Sequence, residues 1–167
     1  MKVTEPKVDE RAAQPTVGIR TQVPMSEMGE ALVPQLLGET FGWLGQRGIA
    51  PAGPPFMRFH VINMEGLMDI EIGVPVVGTV EGDARVRAGE LPAGRYASLV
   101  YTGVTNGIPA NKVLIEWAEA QGLQWDRFDA PGGDGFVSRY ESFLTGPDES
   151  PNPADWDTEV AIKLAES

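Results

Sequence analysis

Four short sequence matches recur in the same order in the two halves of this chain. They pair Trp43 with Trp117, Gly48 with Gly122, "RFH" (58–60) with "RYE" (139–141), and "DIEIGV" (69–74) with "DTEVAI" (157–162). The first two matches share an offset of 74 residues, whereas the third has an offset of 81 because the second half carries an extra loop, "DAPGGDG". Ordered matches of this kind are the signature of an internal repeat, so the chain is predicted to be a duplication.

The hydrophobic pattern repeats in the same way, as strand, helix, strand, strand in each half. Pro34 interrupts the first helical pattern, so the regular helix is expected to start near that residue, and Gly48 and Gly122 are expected to follow the two helix ends. Helices are predicted at 25–49 and 108–123, and strands at 16–23, 53–63, 67–76, 83–91, 94–102, 135–146 and 155–166. The pattern predicts an α+β fold built from two pseudo-symmetric βαββ halves.

Composition excludes several classes of function. The 167 residues include no cysteine and one histidine, which rules out disulfides, cysteine nucleophiles and ordinary zinc sites. The net charge of −11 argues against direct binding to nucleic acid, whose phosphates favour basic surfaces. The polar N-terminus and the lack of a long apolar run predict a soluble cytoplasmic protein with no membrane partner. No phosphate-binding loop or metal-ligand spacing is present, so no cofactor is predicted.

The segment "SRYESFLTG" at 138–146 places a carboxylate in the middle of a predicted strand. Side chains alternate between the two faces of a strand, so Arg139, Glu141 and Phe143 share one face. On the sequence alone, glutamates are mostly exposed. The arginines and carboxylates that recur in both halves are interpreted as cross-strand ion pairs; they are Arg58, Arg139, Asp69, Glu71, Asp157 and Glu159.

Four segments together resemble a GyrI-like small-molecule-binding domain, in the superfamily that includes effector domains of bacterial multidrug-sensing regulators. They are "DIEIGVPV" (69–76), "LPAGRYASLVYTG" (91–103), "RYESFLTGP" (139–147) and "PADWDTEVAIKL" (153–164). The resemblance covers nearly the whole chain and implies one domain over 1–167, with halves at about 1–80 and 92–167. It also implies that the two helices flank a central ligand groove.

The resemblance further implies which residues bind ligand. Ligands of this family are typically bulky, aromatic and often cationic, and they lie over a glutamate that matches Glu141 here. Trp156 and Phe56 match aromatic positions of the family. Other aromatic wall positions fall on Gly103 and Ile108, which departs from the family pattern.

The repeat adds further candidates to this ligand-binding set. Trp43 and Trp117 occupy equivalent helix positions, where they either pack in the core or face the groove from both sides. His60 is aligned with Glu141, so strand parity is expected to place both on corresponding faces, where His60 is either a pocket acid or base or a hydrogen-bonded side chain. Tyr101 and Phe143 complete the predicted set.

Three hypotheses about function remain open at this point. The first is a stand-alone protein that captures hydrophobic aromatic small molecules such as drugs or other xenobiotics. The second is a hydrolase acting on strained, cyclopropane-bearing DNA alkylators, with Glu141 as the catalytic residue that orients or deprotonates water. The third is a protein-interaction module, because the family takes its name from a gyrase inhibitor.

Overall fold

The computed structural model describes residues 1–28 and 31–166, which form ten strands and two α-helices. The strands are β1 (Lys7–Arg11), β2 (Gln14–Pro24), β3 (Phe56–Ile62), β4 (Leu67–Pro75), β5 (Arg87–Leu91), β6 (Gly94–Thr102), β7 (Arg127–Ala130), β8 (Gly133–Phe136), β9 (Arg139–Phe143) and β10 (Asp157–Lys163). The helices are α1 (Leu32–Arg47) and α2 (Gly107–Ala120), and short 3-10 turns lie at Met25–Glu27 before α1, at Val104–Asn106 before α2 and at Pro153–Asp155 before β10. The predicted α+β class is confirmed.

One antiparallel sheet carries the strand order β1-β6-β10-β9-β3-β4-β2-β5, with β7 and β8 branching from β3. The order is symmetric about the seam between β9 and β3, because β6, β10 and β9 correspond to β2, β4 and β3. A pseudo-twofold arrangement of this kind agrees with a duplicated βαββ unit.

Both helices pack on the same side of the sheet, which is called the helix face below, and the opposite side is called the open face. Helix α1 packs on β2 and β4, and α2 packs on β6. Positions 36, 40 and 44 of α1 are buried, and so are positions 110, 114 and 118 of α2, at the predicted offset of 74. The two helices therefore present corresponding faces to corresponding strands.

Helix boundaries follow the predicted signals. Helix α1 begins at Leu32 with Pro34 in its first turn, after a separate 3-10 turn at Met25–Glu27. Gly48 and Gly122 follow the two helix ends with φ values of 66° and 72°, in the left-handed region that glycine adopts without strain. These predictions are confirmed.

One predicted strand is divided in the structure, and the structure also contains strands that the sequence pattern did not predict. The segment 135–146 was expected to be one strand, but it contains the end of β8 and the separate strand β9. The loop "DAPGGDG" lies largely in the β7–β8 hairpin, whose second strand pairs with β3. The polar segment "KVDER" forms β1, which pairs with β6 at the sheet edge although it lacks an apolar pattern.

The strand register corrects the alignment of the two halves at their seam. In the first half, Met57 pairs with Ile72. In the second half, the residue that corresponds to Ile72 is Val160, and Val160 pairs with Glu141. Met57 is therefore the counterpart of Glu141, at an offset of 84 rather than 81, and the alignment of His60 with Glu141 is wrong. His60 instead lies in a β-bulge between Phe59 and Val61.

Candidate functional site

The helix face of β3 and β9 forms the floor of a groove between the two helices. Met57 and Glu141 lie directly opposite each other across this seam, and both are half-buried. Directly opposed side chains in an antiparallel pair lie close together, so the floor places a thioether beside a carboxylate. The floor is therefore apolar on the β3 side and acidic on the β9 side.

Glu141 is held by a tyrosine of β6, which belongs to the same half of the sheet. The Tyr101 hydroxyl donates to Oε1 of Glu141 over 2.7 Å, and Tyr101 itself is 4% exposed. Burial raises the pKa of the Glu141 carboxyl, while the Tyr101 hydroxyl, the Arg139 charge and Asn111 partly oppose that rise. Burial and the adjacent carboxylate also raise the pKa of Tyr101. The charged form of Glu141 is therefore under-stabilised in the unliganded protein.

Gly107, the first residue of α2, leaves space next to this carboxylate. A Cβ atom at Gly107 would lie 3.1 Å from the Tyr101 hydroxyl oxygen and 4.0 Å from Oε1 of Glu141. The absence of a side chain at this position thus keeps the Tyr101–Glu141 pair open. A helix N-terminus carries partial positive charge, which favours the ionised form of a nearby carboxylate.

Arg139 lies two residues before Glu141 on the same face of β9. One of its terminal nitrogens, Nη2, donates to Oδ1 of Asn111 over 2.9 Å, and its guanidinium lies 4.8 Å from the centre of the Phe136 ring. Within residues 1–28 and 31–166, no carboxylate lies at ion-pair distance from this guanidinium. The cross-strand ion pair predicted for Arg139 is therefore wrong.

The mouth of the groove carries exposed apolar side chains. Val104 and Ile108 are 48% and 67% exposed beside the N-terminus of α2. Phe143 on β9 shares the helix face with Glu141 and is half-buried. Apolar surface around a half-buried acidic group is typical of small-molecule sites, which combine an apolar lining with a few placed polar groups.

Trp156 lies beside this mouth, just before β10. Its carbonyl oxygen accepts from the Gly103 amide over 2.8 Å, and its indole nitrogen donates to the Ser150 carbonyl over 2.9 Å. The 3-10 turns Val104–Asn106 and Pro153–Asp155 contact each other next to it. The indole is half-buried, so part of its surface remains available for contact.

The two helix tryptophans differ in their surroundings. Trp43 is buried among core residues of α1, its indole nitrogen donates to Oδ2 of Asp83 over 2.9 Å, and the guanidinium of Arg47 lies 3.9 Å from its ring. Trp117 is half-buried against the core beneath α2. The structure therefore places Trp43 in the core and does not bring it to Glu141.

Two other predicted site residues lie on the open face. His60 contacts Glu71, with Nε2 and Oε1 2.8 Å apart. Phe56 is 1% exposed and packs edge-to-face on Tyr140, with ring centres 6.1 Å apart. Phe56 lines a cavity of about 320 Å³ together with Arg11, Tyr140 and Glu159. The sheet separates this cavity from Glu141. His60 lies on the same open face through its contact with Glu71, so the prediction that His60 and Glu141 share a face is wrong.

The groove thus combines Glu141, Tyr101 and Phe143 from the predicted set with Met57, Gly107, Asn111 and Arg139, which the sequence reasoning did not assign to the site. Strand parity did place Arg139 beside Glu141, and this was the signal that pointed to it. Asn111 and Gly107 depend on how α2 docks, for which the sequence carried no signal. In the described part of the chain, no group of His, Asp and Glu side chains is arranged to hold a metal ion.

Comparison with protein families gives a match that spans nearly the whole chain. A family model described as a GyrI-like small molecule binding domain matches residues 4–165. No curated protein matches the chain. Among the residues described, no helix is both long enough and apolar enough to cross a membrane.

Several solved structures share the fold at low sequence identity. The C-terminal domain of EcmrR is 18% identical, with 98% of each chain covered and a TM-score of 0.73. The EcmrR chain in its complex with DNA is 16% identical with a TM-score of 0.76, and the present chain spans 58% of it. A hydrolase from Listeria innocua is 13% identical, with 96% of this chain and 92% of that chain covered and a TM-score of 0.62. SAV2435 bound to tetraphenylphosphonium is 13% identical, with 97% and 94% covered and a TM-score of 0.56.

Proposed function

The chain belongs to the GyrI-like small molecule binding domain family, and from that premise we propose that it captures bulky aromatic, often cationic molecules in the groove between α1 and α2. Drugs and other xenobiotics are the class of ligand that fits this description. The ligand lies over the seam of β3 and β9, with its positive charge next to Glu141.

The observation that supports this function best is the under-stabilised carboxylate of Glu141. Burial raises its pKa, and its hydrogen-bond donors only partly offset that cost. A carboxylate at such a site is costly unless a cation pairs with it, so a bound cation recovers the cost. SAV2435, which shares the fold, has been solved with the lipophilic cation tetraphenylphosphonium, and this choice of ligand agrees with the proposal.

Apolar side chains at the mouth supply the second part of the interaction. Phe143, Ile108 and Trp156 offer surface to an aromatic ligand, and aromatic faces also attract cations. Phe56, Trp43 and His60 are not part of this proposed contact set, because the open face and the core hold them away from Glu141.

Blocking the groove at Gly107 tests this location. We expect Gly107→Val to weaken tetraphenylphosphonium binding by about tenfold or more, because the new side chain would fill the space beside Tyr101 and Glu141. The measurement is isothermal titration calorimetry on both proteins. Gly42→Val is the matched control, since a Cβ at Gly42 of α1 meets nothing within 4 Å. Equal affinities for Gly107→Val and the wild type would place the ligand elsewhere.

Hydrolysis is a second candidate function, and one observation favours it. Glu141 combines a raised pKa with a direct hydrogen bond from the Tyr101 hydroxyl, which suits a carboxyl group that exchanges protons with a bound water. Mass spectrometry of a strained electrophilic ligand after incubation separates the two functions. Capture returns the ligand unchanged, whereas hydrolysis adds the mass of water.

A further inference from the structure

Of the three partly enclosed arginines in the described structure, Arg11, Arg58 and Arg139, only Arg11 has a carboxylate at ion-pair distance. Nη1 of Arg11 lies 2.9 Å from Oε1 of Glu159. The Nε of Arg58, like that of Arg139, is unpaired among the described residues, but two backbone carbonyls accept from the terminal nitrogens of Arg58 over 2.8 and 2.7 Å. Arg139 has one neutral acceptor, Asn111, among the described residues.

The guanidinium of Arg139 therefore retains unused donors. Its Nε is enclosed and has no partner in the described structure, and its Nη1 donates to no described residue either. Burial lowers the pKa of Arg139, as expected for a cation that has lost water without gaining a full counter-charge. Leaving buried donors unpaired costs free energy, which an incoming anionic acceptor would recover.

The position of Arg139 relates it directly to the ligand groove. Two residues of a strand span about 6.6 Å, so the groove floor presents a positive and a negative side chain at roughly that spacing. Asn111 lies close to both, because its Oδ1 accepts from Arg139 and its side chain helps to lower the pKa of Glu141, while its Nδ2 donates to the Gly107 carbonyl over 2.8 Å. The site is therefore dipolar rather than simply acidic.

We propose that Arg139 makes the groove selective for zwitterionic aromatic ligands, whose carboxylate binds the Arg139 guanidinium while their cationic centre lies next to Glu141. This inference rests on the proposed function, since it names the class of ligand for the same groove. A ligand of this kind satisfies both charges at once and leaves the site neutral.

A carboxylate fits this position better than a phosphate group. A guanidinium matches the two oxygens of a carboxylate in a planar, two-bond geometry. A dianionic phosphate would bring surplus negative charge close to Glu141 in a protein whose net charge is already −11. A monoanion balanced by its own cation avoids that repulsion.

Two dyes that differ by one methyl ester test the inference. Rhodamine 110 is the zwitterionic free acid, and rhodamine 123 is its purely cationic methyl ester. In fluorescence titrations at neutral pH, we expect the wild type to bind rhodamine 110 about tenfold more tightly, the scale of one charge-assisted hydrogen bond. Arg139→Met should abolish this preference. Arg139→Lys should keep part of it, because lysine keeps the positive charge but lacks the planar pair of donors that binds both carboxylate oxygens.

Lys112→Met serves as the matched control, because Lys112 is an exposed cation on α2 next to Asn111 and should leave the preference unchanged. Tighter or equal binding of rhodamine 123 by the wild type would overturn the inference while leaving ligand capture intact, and this comparison needs no variant. A preference that persists in Arg139→Met would also overturn it. If neither dye binds the wild type, both the proposed function and the inference are overturned.

Discussion

Phe56→Ala is expected to lower the free energy of unfolding by about 3–5 kcal/mol, the usual cost of truncating a fully buried aromatic residue. Phe56 is 1% exposed, packs on Tyr140 from the other half, and lies on β3 where the two halves meet. Truncation leaves a cavity at the seam, where contacts from both halves are lost together. Urea unfolding followed by circular dichroism measures the loss.

Phe41→Ala is the matched control for this substitution, because Phe41 is 40% exposed on α1 and alanine suits a helix. It should change the free energy of unfolding by less than about 1 kcal/mol. The folded fraction of Phe56→Ala should still bind tetraphenylphosphonium, since Phe56 faces away from the groove. Equal losses in both variants would contradict the seam role, and lost binding by folded Phe56→Ala would contradict its open-face position.

Glu141→Gln is expected to weaken tetraphenylphosphonium binding by about 1–3 kcal/mol, the scale of a charge-assisted contact. Glutamine keeps the volume of the side chain and still accepts from the Tyr101 hydroxyl, so the change removes the charge and little else. Triphenylphosphine oxide, a neutral molecule of related shape, should bind both proteins equally. Calorimetric titration of both ligands into both proteins gives the four affinities.

Glu116→Gln controls for the change in net charge, because Glu116 is an exposed residue of α2 whose side chain is 64% exposed. Interactions between exposed charges are weak and screened by salt, so its effect should be small. A loss that is the same for the cationic and the neutral ligand would show that Glu141 shapes the groove without sensing charge.

The duplication could be predicted because it rests on local patterns. Helix ends at Gly48 and Gly122 and the break near Pro34 follow from backbone preferences of single residues. The strand β1 was missed because an edge strand with polar side chains has no apolar alternation. The β7–β8 hairpin was missed because its glycine-rich sequence is typical of a loop.

The site was harder to predict, because an error of three residues in the alignment of the two halves assigns side chains to the wrong face of the strand. The true offset between β3 and β9 is 84, and the sequence match suggested 81. An odd shift moves every side chain to the other face, which is why His60 was placed with Glu141 when Met57 is its counterpart. The backbone hydrogen bonds between neighbouring strands determine the register of β3 and β9. A short sequence match such as "RFH" with "RYE" does not determine it.

The missing partner of Arg139 illustrates a second limit of the sequence. Its neighbours Asn111 and Phe136 come from elements whose docking depends on the whole fold. Charged residues at alternate strand positions usually pair across the sheet, and that rule holds for Asp69 with Arg20 and fails for Arg139. Tertiary packing therefore decides which charges remain available to a ligand.

The pH dependence of ligand affinity tests the central claim, that Glu141 recognises the charge of a cationic ligand, most directly. Burial raises the pKa of Glu141 in the free protein, and a bound cation favours its ionised form. Near and below this raised pKa, binding therefore has to release the proton of Glu141, which weakens affinity as the pH falls. Wild-type affinity for tetraphenylphosphonium should therefore fall from neutral pH toward the ordinary glutamate range. Triphenylphosphine oxide affinity, and both affinities of Glu141→Gln, should stay nearly constant over that range. Parallel pH profiles for the two ligands would contradict the claim, and so would a Glu141→Gln variant whose affinity for tetraphenylphosphonium falls with pH as steeply as that of the wild type.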